Sequence, residues 1–201
     1  MTELATRTDP TGQNASRKAM IDSQLRTSGV NAPFVLERMG AVAREDFVPE
    51  SARTIAYIDR AIPLGGGKWL AAPLVHGSML QEADPSGAET ALVIDGGSGY
   101  LPELLRPLVA SLDVRTPEEV LKAGRKTGYD LILVDGAAEQ VPETLAKRLA
   151  DDGKLVTGLV SNGVTRLAVG RKVGKTLALM PVDDMGIPRL PEFDAPKNWS
   201  F

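Results

Sequence analysis

The sequence predicts an α/β fold, with a mostly parallel sheet that becomes mixed at its C-terminal edge and a helical region in front of it. Three observations carry this expectation. From Thr90 onward, short apolar runs alternate with helical segments, the pattern of βαβ units. The first of these runs, TALVI, leads directly into the glycine-rich DGGSGY and then into LPELLRPLVA, giving strand, tight loop and helix in order. The last runs are joined by short turns at Asn162-Gly163 and Val173-Gly174, which suit antiparallel pairing.

Each element follows from local pattern. The opening MTELATRTDPTGQNAS is polar and lacks the apolar core of a secretory signal, so a frayed tail is expected over residues 1–15. From Ser16 to Thr27, Met20, Ile21 and Leu25 share one side of a helix that Gly29 stops. Asn31 is positioned to cap a second helix through Phe34, Leu36 and Met39, and REDFVPES then turns at Pro49. The three glycines of AIPLGGGKWLAAP predict an irregular loop, which feeds a helix from Pro73 to about Glu82. Residues 16–84 thus form an N-terminal helical region with a loop, and residues 85–201 the α/β part of one compact unit. Within that part SLDVR, DLILVD, KLVTGLV, VTRLAVGR and TLALMPV are further strands, with helices in TPEEVLKAG and PETLAKRLADD.

Composition narrows the function. A net charge of -3 gives no basic footprint for phosphates, so nucleic acid is not an expected partner. No apolar run is long enough to span a bilayer, and a cytoplasmic location is expected. With no cysteine and one histidine, thiolate chemistry is excluded and no metal site is expected.

Ligands of doubly wound sheets sit at the carboxyl ends of the strands, which makes Asp95, Gly96, Gly97, Ser98, Gly99 and Tyr100 the prime binding candidates. A tight turn without a ligand is the plain alternative. A nicotinamide-cofactor domain is disfavoured, because G-x-G-x-x-G fails where Pro102 stands. The acid that would bind its ribose is also displaced, since the second strand ends near Arg115 and Thr116, and Glu118 and Glu119 more simply start a helix.

Taken together, MIDSQLR, REDFVPE, AYIDRAIPLGGG, DGGSGY and YDLILVDGAAEQVPETLAKRLADDGKLVTGLV resemble successive blocks of the protein-L-isoaspartate O-methyltransferase family. Order and spacing are similar from Arg17 to the C-terminus, and the N-terminal signature is the most specific part. The resemblance implies a Rossmann-like sheet, S-adenosylmethionine as cofactor, and methyl transfer to the carboxylate of isoaspartyl residues in damaged proteins or peptides, the first step of their repair. Such a carboxylate is ionised at neutral pH, so alignment rather than a general base carries the reaction.

Three departures from the family pattern fall on the site. Where the family has threonine, isoleucine, serine, alanine, proline and histidine, this chain reads Trp69, Leu70, Ala71, Ala72, Pro73, Leu74; the serine that positions the substrate carboxylate is Ala71, and Lys68 is a substitute source of charge. The family's acid before G-x-G-x-G is absent at Val93, and its first glycine is Asp95, which either contacts the ligand's ammonium or opens the turn by bonding nearby amides. Between Gly99 and Asp130 the chain is short enough to lack the third strand, and the ribose-binding acid maps onto Thr116. The alternative function is therefore a methyltransferase-fold protein without catalysis, acting as a binding or structural module.

Remaining candidates are weighed individually. Asp135 ends DLILVD where the family has a small polar residue near the reacting methyl; it either faces a sulfonium or is a solvated turn aspartate. Asp59, Gly67 and Pro73 are the substrate-side candidates, with a structural salt link the simpler role for Asp59. His76, lacking a second histidine or a nearby nucleophile, reads as packing or surface, and Trp199 and Phe201 as anchors of the tail.

Overall fold

The computed structural model describes residues 10–122, 126–174 and 176–195. Its centre is a six-stranded sheet of β3 (Thr90–Ile94), β4 (Ser111–Arg115), β5 (Tyr129–Ala138), β6 (Leu149–Ser161), β7 (Val164–Val173) and β8 (Thr176–Asp184), in the order β4-β3-β5-β6-β7-β8. The first four strands pair in parallel and the last two antiparallel, as the turns predicted. Asn162 and Gly163, at φ of 52° and 78°, form a two-residue hairpin turn between Ser161 and Val164, the mirror-image type that matches strand twist.

The central strands are apolar at successive positions because both sheet faces are covered. Ala91 and Val93 of β3, with Leu131 and Leu133 of β5, join a core with the N-terminal region; Leu92 and Ile94, with Ile132 and Val134, join a second core on the other face. The first core receives α1 (Pro10–Met20), α2 (Pro33–Ala41), α3 (Pro73–Ala83) and α4 (Tyr100–Leu105); the second is covered by the short α5 (Pro117–Leu121) and α6 (Glu143–Ala146) and by Leu190 and Phe193. Among the described residues no strand lies beyond β4, where the sequence resemblance would place a third strand.

Four sequence expectations are corrected. Residues 10–15, assigned to the tail, lie in α1, while residues 1–9 lie outside the described residues. The glycine loop before α3 is an antiparallel hairpin of β1 (Ile62–Gly65) and β2 (Lys68–Leu70), because Gly66 and Gly67, at φ of 60° and 79°, make the tight turn that a two-residue connection needs. Asn31 does not cap α2: the Gln81 side chain on α3 accepts the N–H groups of Asn31 and Ala32 at 2.9 and 3.1 Å. The helix expected over 142–152 stops at Ala146, because the Arg148 carbonyl is taken by the N–H groups of Gly128 and Tyr129 at the start of β5.

Candidate functional site

The chain leaves β3 toward β4 on one side, while β5 lies on the other, so the topological switch point falls between β3 and β5. A cavity of about 310 Å³ opens there, at the lower end of the roughly 300–1,000 Å³ of small-molecule sites. Its wall combines residues 95–97 after β3, 116–118 after β4, Asp135 on β5, 66–69 of the hairpin and 188–192 near the C-terminus.

The site candidates divide accordingly. Asp95, Gly96, Gly97, Asp135, Gly67 and Lys68 lie in the cavity wall; Ser98, Gly99, Tyr100, Asp59, Ala71 and Pro73 do not line it. Gly96 is required by the sheet itself, since a Cβ there would stand 2.3 Å from the carbonyl oxygen of Asp135. At Gly97 a Cβ would meet the Lys68 side chain, which lies across the loop. Asp95 accepts the Gly99 N–H at 3.0 Å, so one carboxylate oxygen opens the turn while the residue still borders the cavity. Burial pushes the Asp95 carboxyl above its ordinary range; the Gly99 N–H opposes the shift and the nearby charge of Asp135 reinforces it.

Behind the wall lies a buried relay that sequence reasoning missed. His76, expected as packing or surface, is fully buried, and its Nε2 is 2.9 Å from Asp135 Oδ1. Its Nδ1 is 3.3 Å from Arg44 Nη1. A guanidinium only donates, so Nδ1 must accept; Nε2 therefore carries the proton and donates it to Asp135. Ser98 Oγ donates to Asp135 Oδ2 at 3.2 Å and accepts the Tyr100 N–H. Asp135 is thus not a solvated turn residue, since its side chain is 2% exposed and both oxygens are engaged.

Arg44 anchors the relay. Its Nε donates to the Ala56 carbonyl at 2.7 Å, Nη2 donates to the Ala71 carbonyl, and the guanidinium lies over the Tyr100 ring, 5.1 Å from its centroid. Burial lowers its pKa to about 10, with Tyr100 and Asp135 opposing the shift, so it stays charged at neutral pH. Ala71 thus serves the relay through its backbone carbonyl, and its side chain offers no hydroxyl. Asp59 makes no salt link among the described residues; it accepts the Leu74 N–H at 3.2 Å in the first turn of α3. Trp199 and Phe201 lie outside the described residues.

At the β4 end, Thr116 and Glu119 form a reciprocal capping box for α5, which commits Glu119 to the helix and leaves Glu118 in the cavity wall. The described residues contain no group of three or more histidine, cysteine or acidic side chains able to hold a metal, and no helix long and apolar enough to cross a membrane.

Comparison with known proteins gives a consistent result. The family model for protein-L-isoaspartate(D-aspartate) O-methyltransferase matches residues 15–115. The protein-L-isoaspartate O-methyltransferase of Aeropyrum pernix is 31% identical over 216 aligned positions, covering 92% of this chain and 83% of that protein. That of Koribacter versatilis is 28% identical and covers 90% of this chain and 93% of its own. Among solved structures, a protein-L-isoaspartate O-methyltransferase from Plasmodium falciparum in complex with S-adenosyl-L-homocysteine aligns with TM-score 0.65 and 18% identity, over 90% of this chain and 98% of that one. A second structure of the same name aligns with TM-score 0.73 and 14% identity, over 89% of this chain and 67% of that one. At these identities the two structures bear on the fold.

Proposed function

The chain belongs to the protein-L-isoaspartate O-methyltransferase family, and on that premise we propose that it methylates the carboxylate of L-isoaspartyl residues in damaged proteins or peptides, in the cytoplasm, with S-adenosylmethionine as donor. The observation that carries the reading is the cavity at the β3–β5 switch point, bordered by Asp95 just after β3, Asp135 on β5 and Lys68 on the hairpin. Its side chains suit that donor: carboxylates for the ammonium and sulfonium, Arg189 for its carboxylate, and Glu118 after β4 for hydroxyls.

S-adenosylmethionine supplies an electrophilic methyl group, so the chain need provide only alignment and charge. Asp95, Gly96 and Gly97 line the cavity after β3, and Glu118 with Thr116 after β4, beyond which no further strand lies among the described residues. Lys68 is assigned the substrate carboxylate, the role that Ala71 cannot fill without a hydroxyl. Arg189 is held by Glu139 and Asp194, which ties the C-terminal wall to β5.

The test is a calorimetric titration with S-adenosylmethionine, followed by a methyl-transfer assay on an isoaspartyl peptide with its aspartyl isomer as control. Saturable binding and transfer to the isoaspartyl peptide alone are expected; no binding at millimolar ligand would overturn the proposal. A second reading, a methyltransferase-fold protein that binds without transferring, draws on the missing hydroxyl at Ala71. Binding with no transfer to either peptide would decide for it.

A further inference from the structure

Resting on that reading, we propose that Asp135 is a specificity-determining residue that makes the cavity favour a sulfonium ligand over its neutral thioether counterpart, with His76 and Arg44 as positioning residues. Asp135 is in the cavity wall, yet its side chain is 2% exposed and cannot turn away. Both oxygens accept side-chain hydrogen bonds, one from His76 and one from Ser98. Arg44 fixes the histidine tautomer, so the Nε2–H can point only at Asp135.

The charges facing this group on all sides are identifiable. Behind it stand His76 and, through His76, the Arg44 guanidinium. Across the switch point stands Asp95, whose carboxyl is displaced upward by burial and by Asp135 itself. Around the cavity are Lys68, Glu118, Arg189 and Glu192. Two carboxylates on neighbouring strand ends in a partly desolvated crevice favour a cation there, since Coulomb energies rise as the local dielectric falls. When the methyl passes to a substrate carboxylate oxygen, an O–CH3 ester bond forms as the S–CH3 bond breaks with its electron pair kept by sulfur; the ligand loses one positive charge and with it the attraction of Asp135.

The experiment measures Kd for S-adenosylmethionine and S-adenosylhomocysteine by calorimetry on the full chain and on Asp135→Asn, Asp135→Ser and Ser98→Ala. The ratio of the homocysteine Kd to the methionine Kd should fall by about tenfold or more in Asp135→Asn, the order expected for removing a unit charge several ångström away at an effective dielectric of about 20. In Ser98→Ala, which removes a donor and leaves the charge, both affinities should weaken while the ratio stays within about threefold. Asp135→Ser, smaller and likewise without the charge, gives the same reading if the asparagine variant does not fold. An unchanged ratio in the folded Asp135 variants, with wild type binding both ligands, would overturn this inference and leave the proposed function standing. A wild type that binds neither ligand would overturn both.

Discussion

At the scale of single residues, two charged positions of the N-terminal signature, Arg44 and Glu45, face inward. Arg44 is wholly buried and serves four partners, two carbonyls, a histidine and an aromatic ring. Its neighbour Glu45 accepts from Tyr57 and pairs with Arg17 on α1 at 3.1 Å, so REDF locks helix to loop. Removing one member of such a buried network strands its partners in a low dielectric. Arg44→Met should therefore destabilise the fold by about 3–5 kcal/mol, read from urea denaturation; a loss below about 1 kcal/mol would mean that the relay is not structurally coupled. Gly96→Ala places a methyl against the Asp135 carbonyl and must part β3 from β5 at the switch point. Overpacking of this kind costs roughly 1–3 kcal/mol, and donor affinity should fall with it in the calorimetric titration.

At the scale of elements, β4 is the edge of the sheet among the described residues. The Thr116–Glu119 capping box starts α5 immediately after β4. Thr116→Ala should cost about 1 kcal/mol in denaturation while leaving the sheet signal in circular dichroism intact. On β4 itself, Asp113 accepts from Lys126 at 2.5 Å and from Tyr129 at 2.6 Å, joining the edge strand to β5. These two donors, Lys126 first, hold the Asp113 carboxyl below its ordinary range. A depressed carboxylate stabilises the fold above its unfolded pKa of about 3.9, and that contribution is lost as pH falls through the folded value. Asp113→Asn should consequently flatten the stability profile below about pH 4 and leave the difference between pH 6 and 8 unchanged.

At the scale of the whole molecule, the C-terminal segment closes both the second core and the ligand cavity. Ala137 exchanges backbone hydrogen bonds with Pro188 and Leu190 at 2.8 and 2.9 Å, and Phe193, 2% exposed, packs with Leu190 among Leu92, Ile94, Val134 and Leu145. Phe193→Ala should cost about 3–5 kcal/mol and raise the amide-exchange rate of Ala137, whose N–H is held by this segment alone. The sheet was legible from sequence because strands buried on both faces must be apolar at consecutive positions, as TALVI and DLILVD are. The Asn162-Gly163 hairpin was legible because its backbone signs admit few residue types. Family membership was legible in the signature blocks. The triple-glycine hairpin was not, since glycine permits a strand-joining turn and an irregular loop equally, and pairing between Ile62 and Leu70 settles which forms. Nor was the relay: His76 stands 32 residues from Arg44 and 59 from Asp135, and neither spacing carries a local signal. The sequence by itself determined the sheet, its glycine loop and its ancestry, because these rest on short-range pattern. Only the tertiary structure decided that Asp135 is buried, oriented and backed by a cation, because that depends on three distant segments meeting where water is excluded.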